Sequence, residues 1–178
     1  DDLGDPAQRD HRGWGKETRY ANQTGRNDLA AAKVSFDERH VYFYVRTAAP
    51  LTPSTDPNWM LLFLDVDGHP TNGWLGYDFV VNRADLGAGR TKMERQQGDG
   101  YHWGAPIEVE VRLGEREIEL AIPRAALGLA RLPATIDFKW ADNIQQTGEW
   151  SDFTLNGDAA PNGRFNYRAV LERDKSAE

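Results

Sequence analysis

The chain of 178 residues contains no cysteine, so disulfide bonds, thiol nucleophiles and cysteine-ligated zinc sites are excluded. No apolar run approaches the roughly 20 residues that a membrane-spanning helix needs, and we expect no membrane span. Positive charge is in the minority, with 21 Lys and Arg against 28 Asp and Glu and a formal net charge of −7. Because sequence-independent affinity for nucleic acid comes from Lys and Arg neutralising phosphates, DNA and RNA are discounted as partners.

Signatures of common catalytic and cofactor sites are also missing. There is no Walker loop, no dinucleotide fingerprint and no Gly-x-Ser-x-Gly motif, so we expect no nucleotide cofactor and no catalysis. The four histidines are scattered without a His-x-x-x-His pair, which argues against zinc. A small glycoside hydrolase or polysaccharide lyase stays open as an alternative, because paired carboxylates or the adjacent Tyr101 and His102 are groups that such enzymes use.

What the sequence does contain is period-2 alternation of apolar and polar residues, which is typical of half-buried strands. Only residues 123–127, with Pro at the first turn, have a helical pattern. The chain therefore predicts one all-β domain over residues 1–178, an antiparallel β-sandwich of jelly-roll or immunoglobulin-like type with minimal helix. Residues 1–28 are expected to form an irregular segment packed on the sandwich. The predicted strands, about nine in number, cover residues 29–36, 41–47, 60–65, 76–82, 91–96, 107–113, 118–122, 136–141 and 165–171.

Six tryptophans are many for a chain of this length. Trp140 shares the parity of its strand's apolar residues and is assigned to the core. Strands of an antiparallel sandwich mostly alternate in direction, so successive loops alternate between its two ends. This count places Trp59, Trp150 and Trp14 at one end, which makes them candidates for stacking on sugar rings. The alternative is that one or more of these rings only pins its loop.

Polar side chains near these rings complete a predicted sugar site, because sugar hydroxyls need planar hydrogen-bonding partners beside the stacking surface. The predicted partners are Asp56, Asn58, Asn143, Gln145 and Glu149. A separate acidic motif follows the strand at 60–65, where Asp65 and Asp67 precede a glycine. Alternate carboxylates in a tight turn suit Ca²⁺, so a structural calcium is considered beside the alternative of a solvated turn. Residues 156–158 are a second candidate for the same ion, and residues 142–143 are a weaker one.

Three segments carry a resemblance to a known family: residues 40–47 (HVYFYVRT), 56–67 (DPNWMLLFLDVD) and 76–82 (GYDFVVN). With the later segment 138–143 (FKWADN), they resemble the family 9 carbohydrate-binding modules, which share a fold with DOMON domains. The resemblance covers about residues 29 to 171. It implies a β-sandwich, often stabilised by calcium, in which two tryptophans clamp terminal saccharide units, and Trp59 and Trp150 match them. Some DOMON domains bind haem through Met and His, but no His is placed opposite Met60 or Met93, so we expect no haem.

These observations lead to one functional hypothesis and two rivals. The chain is predicted to be a non-catalytic carbohydrate-binding module of a secreted or cell-surface bacterial protein, monomeric and covalently linked to a glycan-active catalytic domain. Its partner would be a poly- or oligosaccharide, bound by tryptophan stacking and hydrogen bonds. The rivals are a structural accessory domain that packs on a catalytic domain without binding sugar, and the small glycanase or lyase.

Overall fold

The computed structural model describes residues 9–13, 15–83 and 87–172. In this part of the chain the architecture is almost entirely β, which confirms the predicted fold class. Twelve strands are formed: β1 Arg9–Arg12, β2 Arg19–Asn22, β3 Leu29–Phe36, β4 His40–Thr47, β5 Leu61–Asp65, β6 Phe79–Val81, β7 Arg90–Arg95, β8 Ile107–Leu113, β9 Glu117–Pro123, β10 Ala134–Asp142, β11 Asp158–Ala160 and β12 Tyr167–Leu171. One short helix, α1, spans Asp152–Leu155. No helix in the described residues is long and apolar enough to cross a membrane.

The strands form one large antiparallel sheet and a separate small hairpin. Sheet order is β11-β10-β5-β6-β7-β8-β9-β4-β3, and β12 pairs with β10 beyond the end of β11. The sheet curls until it is nearly closed, with β12 lying beside β3. Strands β1 and β2 form the two-stranded sheet. Curling turns one face of every strand inward, so a period-2 sequence buries its apolar side in a common core.

The inner core is built from the apolar positions of these alternating strands. Phe43 of β4 lies opposite Leu120 of β9 in the strand register, and its ring contacts that of Phe138 with centroids 5.5 Å apart. Trp140 of β10 is fully buried in the same core, as its parity predicts. Between these apolar positions, Tyr44 and Glu119 point outward and their side chains reach solvent. In these alternating strands the sequence pattern therefore decides which face is inside.

A second apolar layer lies on the outer face of β5, β6, β10 and β11. Every residue of β5 is buried, because Leu62 and Leu64 face the inner core while Leu61 and Phe63 face outward under long loops. The ring of Phe63 is surrounded by aromatic residues whose centroids lie 5.2–6.3 Å away. These residues are Trp74, Tyr77, Trp103 and Phe153. Because β5 is buried on both faces, residues 61–64 are all apolar instead of alternating with polar residues.

The alternation of apolar and polar residues was sufficient to predict the strands but not the helix or the N-terminal hairpin. All nine predicted strands exist, and two of them, β3 and β8, have the predicted limits. The helix predicted at 123–127 is corrected to the end of β9 followed by turns, since Pro123 still pairs with His40 in the sheet. The described part of residues 1–28 is not irregular, because it forms the β1–β2 hairpin. The helix α1 lies in the loop where the sequence predicted none.

One buried carboxylate holds three segments together at the end of β10. Asp142 is fully buried and accepts hydrogen bonds from Arg26 Nε (2.8 Å), Asn27 Nδ2 (3.1 Å) and the backbone N–H of Met60 (2.9 Å). Burial raises the pKa of the Asp142 carboxyl, while the charge of Arg26 and the donated hydrogen bonds act in the opposite direction. Because the partners come from two segments, residues 26–27 and Met60, this carboxylate ties both of them to the end of β10.

We expect Asp142→Asn to destabilise the fold by about 3 kcal/mol or more, because it leaves the mostly buried guanidinium of Arg26 without its counter-charge. The measurement is urea unfolding followed by tryptophan fluorescence. Asp10→Asn is the matched control, since its ion pair with Arg19 is exposed to solvent and is expected to contribute little to stability. Equal losses in the two variants would contradict a structural role for Asp142.

Candidate functional site

The structure does not present Trp59 to solvent. The side chain is 2% exposed, packs in the inner core and donates its Nε1–H to the carbonyl oxygen of Thr52 at 3.0 Å. A ring with both faces covered cannot stack on a sugar. The prediction that Trp59 and Trp150 form a clamp is therefore wrong. Trp14 lies outside the described residues.

Trp150 is exposed, and the path of the loop between β10 and β11 places it away from Trp59. That loop starts beside Trp59, as the loop count predicts, because Asn143 N–H donates to Asn58 O at 3.0 Å. It then crosses the outer face of the sheet, where its Gly148 carbonyl accepts the Nε1–H of Trp74 at 3.0 Å. Trp150 is left 60% exposed beside the loop that joins β5 and β6.

Gly157 allows the β10–β11 loop to return to the sheet. Its φ is +60°, and a Cβ at this position would clash with the backbone of Asp142 and Asn143. Only glycine tolerates both the left-handed backbone and this close approach. The loop is therefore closed tightly at its base, while its middle extends over the aromatic layer.

The polar residues predicted to surround the clamp mostly hold loops together. Asn58 donates its amide to Ile144 O at 2.6 Å, and Gln145 donates to Asn143 O and Oδ1, each at 2.8 Å. Asp56 faces Arg26 at 3.6 Å. These side chains are engaged within the protein, which gives them a structural role, and their contact with a sugar stays a prediction. Glu149 is exposed beside Trp150 and is the one predicted polar partner near that ring.

A hollow of about 210 Å³ opens beside Trp150, and we call it the Trp150 cup. It lies over the outer apolar layer, between the β5–β6 loop and the segment that joins β11 to β12. Eight residues line it: Pro70, Leu75, Tyr77, Lys139, Trp150, Phe153, Arg164 and Asn166. Loops from both ends of the sheet contribute to this list. The cup therefore exists only in the folded chain.

The floor of the cup is fixed by hydrogen bonds and ring contacts. The buried Tyr77 hydroxyl donates to Asn166 Oδ1 at 2.6 Å, which leaves the Asn166 amide N–H groups as donors. Burial raises the pKa of Tyr77, so its hydroxyl stays protonated. Lys139 is fully buried, donates to Pro161 O and lies 5.2 Å from the ring centroid of Phe153. These groups are held in place before any ligand arrives.

The rim of the cup carries exposed apolar side chains and one cation. Leu75 is 45% exposed, and Phe165, which adjoins the cup, is 66% exposed. The guanidinium of Arg164 lies 6.0 Å from the ring centroid of Phe165. Sequence reasoning missed Leu75, Arg164 and Asn166. The only available signal was the sequence Arg164-Phe165-Asn166, a cation, a ring and an amide together in a loop.

Larger hollows exist elsewhere but offer less to a polar ligand. One of about 530 Å³ runs between β3 and β12, and its aromatic lining residues, Phe36, Phe138 and Tyr167, are buried or half-buried. Another of about 750 Å³ lies beside Arg124 and Arg131 and contains no aromatic residue. Neither combines an exposed ring with a fixed amide. The Trp150 cup is therefore the candidate binding site.

An acidic cluster adjoins the cup at the end of β5. Asp65 and Asp67, predicted as cation ligands, are joined by Asp78, with one carboxylate oxygen of each within 4.8 Å of the others. Three carboxylates provide oxygen donors of the kind that Ca²⁺ prefers. Asp65 Oδ1 also accepts the N–H of Gly68 at 2.7 Å, and Asp78 Oδ2 accepts the N–H of Val66 at 2.8 Å. Burial raises the pKa of Asp65 and of Asp78, and their neighbouring carboxylates raise both further.

The weaker calcium candidates are corrected by the structure. Asp142 binds Arg26 and Asn27, and Asp158 accepts the backbone N–H of Leu29 at 2.7 Å. Both carboxylates are buried. Their position ties the ends of strands together, and an ion would have to displace these partners.

Comparisons with known proteins gave no matching family model, no matching curated protein and no matching solved structure. The resemblance to carbohydrate-binding modules therefore depends on the sequence motifs alone. The structural feature that bears on function is the Trp150 cup.

We expect a large loss of stability from one tryptophan substitution and almost none from the other. Trp59→Ala should cost about 3–5 kcal/mol, because it leaves a large cavity in the core. Trp150→Ala should change the free energy of unfolding by about 0.5 kcal/mol or less, because the ring is mostly exposed. Urea titration measures both. A large loss in Trp150→Ala would mean that this ring is needed for folding rather than for binding.

The acidic cluster predicts a response to pH and to divalent cations. Because the folded pKa values of Asp65 and Asp78 are raised, their contribution to stability is present below about pH 3.8, the usual Asp value, and is lost as pH rises through the folded values. At neutral pH without cations, Asp78→Asn should therefore raise the melting temperature. If the cluster binds Ca²⁺, adding it should raise the melting temperature of the wild type and raise that of Asp78→Asn less. Identical melting curves with Ca²⁺ and with EDTA would contradict the calcium expectation.

Proposed function

We propose that the chain is a non-catalytic carbohydrate-binding module and that the Trp150 cup is its binding site. The observation that carries the proposal is an indole ring, 60% exposed, on the wall of a hollow whose floor holds a fixed amide. A large aromatic ring left in solvent loses the free energy of burial, which a ligand would restore. An exposed ring beside oriented polar groups matches what a pyranose presents, an apolar face bordered by hydroxyls.

Binding would combine stacking with a few directed hydrogen bonds. Trp150 would cover the apolar face of one sugar ring, with Leu75 extending the apolar surface. Asn166 would donate its amide N–H groups to ligand oxygens, because its Oδ1 already accepts from Tyr77. Since this amide is held in place before binding, little conformational entropy is lost there when the sugar binds.

The size of the cup limits the ligand to a single sugar residue in the hollow. Its volume of about 210 Å³ is below the ~300–1,000 Å³ that is usual for sites enclosing drug-sized ligands. The rest of a longer saccharide would lie on the surface beside Phe165. One stacking ring in place of a two-ring clamp predicts modest affinity, which suits a module that works while linked to a catalytic domain.

The proposal of a non-catalytic role draws support from the carboxylates on the sheet's outer face. Glu108 contacts Lys92 at 2.7 Å and Glu110 contacts Arg90 at 3.7 Å, both across neighbouring strands. Glu117 accepts the hydroxyl of Tyr44 at 2.9 Å. Such cross-strand pairs are typical of a solvated sheet face. We therefore favour a secreted or cell-surface binding module over a small glycanase.

The test is retention on a panel of immobilised polysaccharides, with Trp150→Ala and Trp59→Phe beside the wild type. We expect Trp150→Ala to lose at least about tenfold in affinity, because stacking on one aromatic ring accounts for a large share of binding. Trp59→Phe is the matched control: it keeps the core filled and should bind like the wild type, whereas a two-ring clamp would make it fail.

Three outcomes would overturn the proposal in different directions. Unchanged retention of Trp150→Ala on every bound glycan would remove the cup as the site. Wild-type protein that binds no glycan, but forms a complex with a glycan-active catalytic domain, would favour a structural accessory domain. Release of reducing ends, or of unsaturated sugar ends, by the wild type would show an enzyme instead.

A further inference from the structure

The lining of the Trp150 cup differs in charge from the rest of the protein. The chain has a net charge of −7, yet the eight lining residues include two cations and no carboxylate. Lys139 is held by Pro161 O and the ring of Phe153, so we assign it no contact with a ligand. Arg164 is exposed and, in the described part of the chain, forms no ion pair with a carboxylate. Its guanidinium is therefore the charged group available to a ligand.

The hydrogen-bonding groups that line the cup are mostly donors, and the exposed carboxylate of Glu149, next to Trp150 in the chain, is not among the lining residues. Arg164 brings five N–H donors and no acceptor, and Asn166 offers its amide N–H groups because Oδ1 is already engaged by Tyr77. A neutral sugar hydroxyl is both donor and acceptor, and a site for it would normally include carboxylates or free carbonyl groups. A surface rich in donors instead suits a ligand group that only accepts, and the planar fork of arginine fits a carboxylate.

We infer that the sugar residue held in the Trp150 cup is a uronate, with its carboxylate bound by Arg164 and its ring stacked on Trp150. This inference rests on the proposed function and names the class of sugar. The cup volume admits one residue, so the uronate would be a chain end or a side branch of an acidic polysaccharide.

Charges behind the floor orient this ligand. Negative charge lies on the Tyr77 side of the cup, because the next residue, Asp78, belongs to the acidic cluster with Asp65, and Asp137 lies opposite Asp65 in the strand register. Asp137 is largely neutralised by Arg168, which donates to both of its oxygens at 2.7 Å, whereas Asp65 belongs to the acidic cluster. A ligand carboxylate is therefore repelled from Tyr77 and attracted to Arg164. The hydroxyls on the other side of the sugar ring would face Asn166.

The experiment compares sugars that differ only in the acidic group. Methyl glucuronoside is titrated against methyl glucoside, and methyl galacturonoside against methyl galactoside, with binding followed by Trp150 fluorescence and by NMR. We expect each uronate to bind about tenfold more tightly than its neutral partner, and added NaCl to weaken only the uronates. Arg164→Gln should remove this preference, so that each uronate binds no more tightly than its neutral partner. Arg131→Gln, an exposed arginine away from the cup, is the control and should keep it.

The outcomes separate this inference from the proposed function. Equal affinity for the acidic and neutral sugars, lost in Trp150→Ala but not in Arg164→Gln, would overturn the uronate assignment and leave the carbohydrate module standing. Sodium acetate that competes as well as a uronate would show a plain anion patch and overturn the assignment. If no monosaccharide or oligosaccharide of either kind binds, the proposed function fails and the inference fails with it.

Discussion

Asp142 and Arg26 form an ion pair in the interior of this protein, and the arrangement of the loops depends on it. Removing two charges from water is costly, and only a carboxylate with several partners offsets that cost. Asp142 has those partners, because Asn27 and the N–H of Met60 donate to it as well. Met60 has a positive φ of 45°, a conformation that a long side chain rarely adopts and that this hydrogen bond helps to hold. The strand β10 thereby anchors both the N-terminal segment and the entry to β5.

This anchor determines where the β10–β11 loop can go. The loop leaves the sheet at Asn143, is fixed to Asn58 there, and crosses the outer face to reach Trp74. Its helix places Phe153 over Phe63, with ring centroids 5.4 Å apart, and completes the outer aromatic layer. Trp150 lies outside that layer, beside the hollow, and is left 60% exposed. The exposed ring of the candidate site is a consequence of how this loop packs.

The sequence predicted the strands well because alternation is a local property. Residues 107–113 alternate strictly, and β8 has those limits. The same local reasoning failed for Trp59 and Trp150, which both occur among turn-forming residues and cannot be distinguished by their neighbours. Trp59 is buried because its ring packs in the inner core, where the carbonyl oxygen of Thr52 accepts its Nε1–H. Exposure of Trp150 follows from a loop that crosses the sheet. Neither contact is encoded within a few residues of the ring.

The sequence by itself determined the all-β class, the inward face of each strand, the acidic pair at Asp65 and Asp67 and the excess of negative charge. Tertiary structure decided which tryptophan meets solvent, that Asp78 joins the acidic pair, and that Arg164 and Asn166 belong to one hollow. The physical reason is the range of the interactions. Side-chain alternation is fixed by backbone geometry over neighbouring residues, whereas a hollow between loops exists only when distant segments pack against each other.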